Sequence, residues 1–137
     1  MVKHVVCKVD DIPIGQRKAV KVRGRSIVIF HLNSGFFAML NACPHQGARL
    51  DQGHVGQLVE ASAPGEYSCS RSGEIVRCPW HGWEFDIRTG QSWCSPGTVG
   101  VRQYQASAMS GTELVAGPYK AETFPVSIDE NYVVIEV

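Results

Sequence analysis

Short runs of alternating hydrophobic and polar residues recur along this chain, and they set its class. Lys18-Ala19-Val20-Lys21-Val22 alternates, and Gly24-Arg25 follows as a turn. Ser26 to Leu32 continues as a strand, with Ile27, Ile29 and His31 on one side and Val28, Phe30 and Leu32 on the other. Asn33-Ser34-Gly35 is a turn signal, and Phe36 to Leu40 is the next strand. Glu74 to Arg77 and Trp83 to Ile87 are short strands, the second closed by Arg88-Thr89-Gly90. Phe124 to Ile128 and Tyr132 to Val137 pair as a final hairpin turning at Asp129-Glu130-Asn131. No segment combines a helical period with caps. The expected class is therefore all-β. Two stretches, about 56–73 and about 95–112, are rich in Ser, Gly, Pro and Ala and poor in strand signal; both are expected to be surface excursions.

The length of 137 residues suits one domain. Basic and acidic residues number 13 each, so the formal net charge is zero. That balance lacks the basic surplus that nucleic-acid binding requires. No apolar run approaches the roughly 20 residues of a membrane span. The start, Met1-Val2-Lys3-His4-Val5-Val6-Cys7, lacks the apolar stretch of a secretory signal, so a cytoplasmic location is expected.

Five cysteines (Cys7, Cys43, Cys69, Cys78, Cys94) are an odd number for a disulfide framework, and metal binding is the better expectation for some of them. Two segments stand out, Cys43-Pro44-His45-Gln46-Gly47 and Cys78-Pro79-Trp80-His81-Gly82. Each pairs a soft thiolate with an imidazole in a Pro/Gly loop directly after a strand. Thiolates suit iron–sulfur clusters and zinc, and imidazole suits iron and zinc alike. The four side chains alone would equally serve a tetrahedral Cys2His2 zinc site in an interaction module. Cys7, Cys69 and Cys94 are expected to be small buried or loop residues. His4, His31 and His54 are expected to be surface or satisfied core histidines. Trp80, Trp83 and Phe85 are expected to be packing residues that shield the site.

The two segments, with their flanks, resemble the Rieske family. Cys78-Pro79-Trp80-His81-Gly82-Trp83-Glu84-Phe85-Asp86 is similar to the second cluster loop of Rieske ferredoxins and oxygenases, and Asn41-Ala42-Cys43-Pro44-His45-Gln46-Gly47-Ala48 to the first. Gly117-Pro118 resembles the family's third, proline-bearing loop. The resemblance implies one [2Fe–2S] cluster, with Cys43 and Cys78 on one iron and His45 and His81 on the other. It also implies an antiparallel β-sandwich with a cluster-binding subdomain of two ligand loops, spanning about 41–94.

High-potential members carry a disulfide between the loops and hydroxyl donors to the cluster. The matching positions here are Ala48 and Trp80 for the disulfide, and Trp83 and Phe85 for the donors. The resemblance thus points to the low-potential, ferredoxin-like side. An oxygenase would need a further domain with a mononuclear iron on two histidines and a carboxylate, for which this chain is too short. The implied role is a carrier that takes electrons from a flavin-dependent reductase and passes them to a terminal oxygenase. The alternative is a small subunit of a larger oxidoreductase, nitrite-reductase-like. Between His45 and Cys78 lie 32 residues, about twice the family's usual spacing; the surplus falls near 56–73. Arg71 and Arg77 beside it, with Arg49 in the first ligand loop, are expected to offer positive charge to an acidic partner.

Overall fold

The computed structural model of the chain describes residues 3–44, 47–63, 66–79, 84–92, 100–116 and 130–137. The chain divides into two compact units, Met1–Leu40 with Gln103–Val137, and Asn41–Arg102.

The first unit is a six-stranded antiparallel sheet. Its strands are β1 (Lys3–Lys8), β2 (Arg17–Val22), β3 (Arg25–Leu32), β4 (Gly35–Leu40), β8 (Gln103–Ser110) and β9 (Asn131–Glu136). They lie in the order β1-β9-β8-β4-β3-β2, and the edges β1 and β2 approach each other, so the sheet is nearly closed into a barrel. The inward face follows from the alternation. Ile27 and Ile29 of β3, Ala38 of β4, Tyr104 of β8 and Val133 and Ile135 of β9 form one core with Val22, Cys7 and Ile12. Val28 and Phe30, on the opposite face of β3, are also buried, which is why this strand is a continuous apolar run. β9 is likewise buried on both faces: Tyr132 and Val134 join Val5 and Leu114 in a second cluster. Leu114 belongs to a short helix, α1 (Gly111–Ala116), which covers that side of β9.

The predicted strands in 18–22, 26–32, 36–40 and 132–137 are all present. The expected partner of the last, 124–128, lies outside the described residues, as do Gly117 and Pro118; β9 pairs instead with β1 and β8. Three expectations are corrected. The stretch 95–112 holds β8, whose Gln103-Tyr104-Gln105-Ala106 alternation is obscured by its Ala and Ser content. The chain has a helix, whose six residues are too few to display a period. The stretch 56–73 is described below.

The second unit contains a three-stranded antiparallel sheet, in the order β5-β6-β7. Its strands are β5 (His54–Ala63), β6 (Glu66–Arg77) and β7 (Glu84–Asp86). Most of 56–73 is therefore a hairpin, not an excursion poor in strand. Gly, Ala and Ser lower its intrinsic strand signal, but cross-strand pairing supplies what propensity does not.

Candidate metal centre

One row of the second sheet places both candidate loops. His54 at the start of β5 is paired with Arg77 at the end of β6, and Arg77 with Glu84 at the start of β7. The first candidate loop runs from Asn41 into β5. The second begins at Cys78, one residue after β6, and ends where β7 starts. Both loops are thus rooted at the same end of the same sheet, although 32 residues lie between His45 and Cys78. Those residues run out along β5 and back along β6.

At the roots, the strands meet backbone to backbone. A Cβ added to Gly53 would stand 2.3 Å from the carbonyl oxygen of Arg77, and 3.1 Å from that of Leu50. No residue but glycine fits there without displacement of the chain. The Arg77 guanidinium reaches Glu84 across the base of the second loop, Nη2 to Oε1 at 3.7 Å.

The first loop closes on itself through its backbone. The Gly47 N–H donates to the Cys43 carbonyl at 2.7 Å, and the Cys43 N–H donates to the Ala48 carbonyl at 2.8 Å. Gly47 has φ +78, the left-handed region that side-chain-bearing residues resist. A turn of 3-10 helix over Leu50–Gln52 follows, anchored by the fully buried Leu50.

Side chains close the loop a second time. The amide of Asn41 donates to Asp51 Oδ1 at 2.9 Å, and the Asp51 backbone N–H donates back to Asn41 Oδ1 at 2.8 Å. Arg49 forks onto the same carboxylate, Nε to Oδ1 at 3.0 Å and Nη2 to Oδ2 at 2.8 Å. Burial pushes the Asp51 carboxyl up, but the hydrogen bonds from Asn41 and Arg49 and the charge of Arg49 outweigh it. The group is held below its ordinary value.

The second loop is braced from behind β7. Asp86, itself buried, accepts the Arg88 N–H on Oδ1 at 2.8 Å. Its carbonyl accepts the Gly90 N–H at 2.7 Å, and its own N–H donates to the Gln91 carbonyl at 2.9 Å. Phe85, fully buried, bridges to Ser92.

Of the four candidate ligands, Cys43 and Cys78 are described. Neither thiol forms a disulfide, and their residues are 2% and 3% exposed. His45 and His81 lie outside the described residues, as do Trp80 and Trp83. Two sheltered thiols, one on each of two loops with a common root, are a donor set that suits a thiolate-loving metal or cluster.

Among the remaining candidates one expectation is corrected: His4 is neither a surface nor a satisfied histidine, since its Nε2 is buried with no hydrogen-bond partner among the described residues. Cys7 is buried in the barrel core, where loss of solvation pushes its thiol up to about 11, with Lys18 opposing and Asp11 adding to the shift. His31 is a part-buried histidine with its needs met: its Nδ1 lies 2.6 Å from the Ile12 carbonyl and its ring stacks on Phe36 at 4.0 Å. Cys94 and the side chains of Cys69 and His54 are not among the described groups. The expected positive patch is corrected in part. Arg49 and Arg77 each face a carboxylate, Asp51 and Glu84, so neither is a free charge.

Reading the sequence alone misses Asn41, Asp51 and Gly53. The first two are ten residues apart with no periodic relation. Gly53 carries the one available signal, a glycine directly before a strand that follows a ligand loop.

Comparison with known proteins gives the following. The family model for the Rieske [2Fe-2S] domain matches residues 2–105. The ferredoxin component of the naphthalene 1,2-dioxygenase/salicylate 5-hydroxylase systems of Ralstonia sp is 30% identical over 95 residues, covering 69% of this chain and 76% of that protein. The solved ferredoxin of carbazole 1,9a-dioxygenase from Nocardioides aromaticivorans IC177 matches with a TM-score of 0.57 at 23% identity, covering 77% of this chain and 88% of that one. A Mycobacterium tuberculosis structure, described as an NADH-dependent nitrite reductase small subunit, matches with a TM-score of 0.62 at 22% identity, covering 99% of this chain and 96% of that one.

Proposed function

The chain belongs to the Rieske [2Fe-2S] domain family, and from that premise we propose that it is a one-electron carrier, the ferredoxin component that accepts electrons from a flavin-dependent reductase and delivers them to a Rieske-type oxygenase. The observation that carries the reading is the row His54, Arg77 and Glu84, which roots both candidate loops at one sheet end.

In this reading Cys43 and Cys78 hold one iron, and His45 and His81 the other. When bound, the cluster supplies a site for one added electron, at a potential that imidazole ligation lifts above the roughly −400 mV of all-thiolate plant-type ferredoxins. The protein's part is to hold its donors still. Gly53 keeps the two loop roots in contact. The bonds among Cys43, Gly47 and Ala48 set the backbone around the first thiol. Burial of Cys43 and Cys78 keeps water from the sulfur donors. The cytoplasm, where thiols stay reduced, is the proposed compartment.

A second reading is a fixed small subunit of a nitrite-reductase-like enzyme. It is favoured by one observation, the near end-to-end match to the Mycobacterium tuberculosis structure.

The test is direct. The purified protein is expected to be red-brown, with two irons and two sulfides per chain and a rhombic EPR signal on reduction. Cys43→Ser and Cys78→Ser are expected to abolish the cluster. A colourless protein with one zinc per chain would sink the proposal. Rapid electron uptake from a flavin-dependent reductase by the isolated chain supports the ferredoxin reading. Stable co-purification with a large reductase subunit supports the second.

A further inference from the structure

The side chains that close the first ligand loop form one connected unit, and none of them is a candidate ligand. Asn41 directly follows β4, and Asp51 lies in the turn that leads to β5. Between them run the ten residue steps that carry Cys43 and His45. Asn41 and Asp51 bind each other twice, once side chain to side chain and once side chain to backbone, at 2.9 and 2.8 Å. Such reciprocal bonding fixes both the separation and the orientation of the loop ends, which one hydrogen bond would not. Asn41 is only 4% exposed, so its amide depends on partners within the protein, Asp51 among them. Arg49 then locks the carboxylate from the solvent side with two parallel bonds.

We propose that Asn41 and Asp51 are positioning residues: a clasp that holds the first ligand loop in its metal-ready form before the cluster is inserted, with Arg49 as its outer latch. The proposal rests on the reading that this loop supplies Cys43 and His45 as ligands. Its physical basis is preorganisation. Closing a flexible loop has an entropic cost that the cluster would otherwise have to offset on binding. The clasp meets that cost on folding, at a point remote from the ligand atoms. The backbone bonds Gly47 to Cys43 and Cys43 to Ala48 lie inside the clasped segment and report on whether it is closed.

The test uses the full chain, both loaded and freed of cluster, as wild type, Asn41→Ala, Asp51→Ala, the double variant and Asp51→Asn. Three quantities are read: hydrogen exchange of the Cys43 and Gly47 amides, the lifetime of the cluster against a chelator, and its visible circular-dichroism spectrum. Exchange of the Val133 and Val134 amides in β9 gauges global stability. Each alanine variant is expected to speed loop exchange and cluster loss about tenfold, and to alter the visible spectrum, with β9 unchanged. The double variant is expected to be no worse than Asn41→Ala, which by itself already removes both bonds of the pair. Asp51→Asn keeps an acceptor for Asn41 and leaves the backbone bond intact, so it is expected to restore most of the lifetime.

Single losses that multiply in the double variant would overturn the clasp. So would an Asp51→Asn protein as poor as Asp51→Ala, or loop exchange that rises only in step with β9. If the wild type binds no cluster, the proposed function falls. The clasp then stands or falls on loop exchange in the cluster-free chain, where an unchanged rate in Asn41→Ala refutes it.

Discussion

Replacing Gly53 by alanine probes the joint on which the site depends. The added methyl would start 2.3 Å from the Arg77 carbonyl oxygen, and real Cβ contacts do not fall below 3.0 Å. The strands must therefore part by about 0.7 Å at this point. No flexible side chain can yield instead, since the nearest atoms are the backbone of Arg77 and Leu50. Overpacking of this kind costs about 1–3 kcal/mol. The displacement falls between the root of one ligand loop and the residue before Cys78, so it is expected to spoil the site as well as the stability. Gly24→Ala serves as the control. Gly24 has φ +77 with nothing within 4 Å, so its variant loses about 1–2 kcal/mol through backbone strain alone. Urea unfolding followed by far-UV circular dichroism reads stability, and loss of visible absorbance against a chelator reads cluster retention. Both variants are expected to lose similar stability, and Gly53→Ala alone to shed its cluster faster. Equal retention in the two proteins would refute the claim that Gly53 holds the loop roots together.

Four further outcomes are expected. The Asp51 carboxyl is held below its ordinary value, so its stabilising contribution is whole above about pH 4 and is lost as pH falls through its lowered folded value; Asp51→Asn is expected to flatten that part of an acid titration of loop amide exchange. Cys7, raised to about 11, favours the fold fully below pH 9 and progressively less as pH rises through 11, so Cys7→Ala is expected to reduce the alkaline loss of stability measured by urea midpoints. The reduction potential is expected near the bottom of the Rieske range, roughly −150 mV, and Phe85→Tyr combined with Trp83→Ser is expected to raise it; a wild-type value above zero by spectroelectrochemical titration would contradict the low-potential assignment. Shortening 58–72 to a glycine-containing turn is expected to leave cluster and potential intact while slowing transfer to the partner, and an unchanged rate would dismiss a docking role for the hairpin.

The strands with bulky alternation were legible from the chain alone. β3 and β4 fall where Ser26 to Leu32 and Phe36 to Leu40 predict them, because Ile, Val and Phe fill a buried face whatever surrounds them. The strands that lead into the two candidate loops were legible for a related reason: β4 ends at Leu40, just before Asn41, and β6 at Arg77, just before Cys78. What escaped was whatever tertiary pairing decides. β8 and the outer part of the β5–β6 hairpin are built from Ala, Ser and Gly, whose weak preferences are overridden once a partner strand is at hand. The Asn41–Asp51 pair escaped because it is a product of loop closure, and closure leaves no period in the sequence. Even so, the flanks of Pro64-Gly65 carried a hint. Leu58-Val59-Glu60 and Tyr67-Ser68-Cys69 are short strand-like runs on either side of a turn dipeptide.

The hairpin also explains how the two candidate ligand segments share a root although 32 residues lie between His45 and Cys78. Its ladder is interrupted twice, after Gly56 and again after Ala61, and the first interruption sets the base apart. At the base, His54, Val55 and Gly56 pair with Arg77, Val76 and Ile75. Beyond an irregularity after Gly56, Leu58 to Ala61 pair with Ser70 to Tyr67. On β6 the residues 71–74 fall between the two parts, where β5 has only Gln57. The base is the part that touches the site. It is secured independently, by β7 on the far side of β6, by the Gly53–Arg77 contact and by the Ile87 N–H to the Glu74 carbonyl at 2.9 Å. The bulge absorbs any mismatch in length or twist before it reaches that base. Added residues therefore lengthen the hairpin at its far end, at an entropic cost that grows only slowly with length. Sequence separation between ligand pairs is thus a poor gauge of whether such a site can form. What matters is that the residue leaving one loop and the residue approaching the other share a rung, as His54 and Arg77 do.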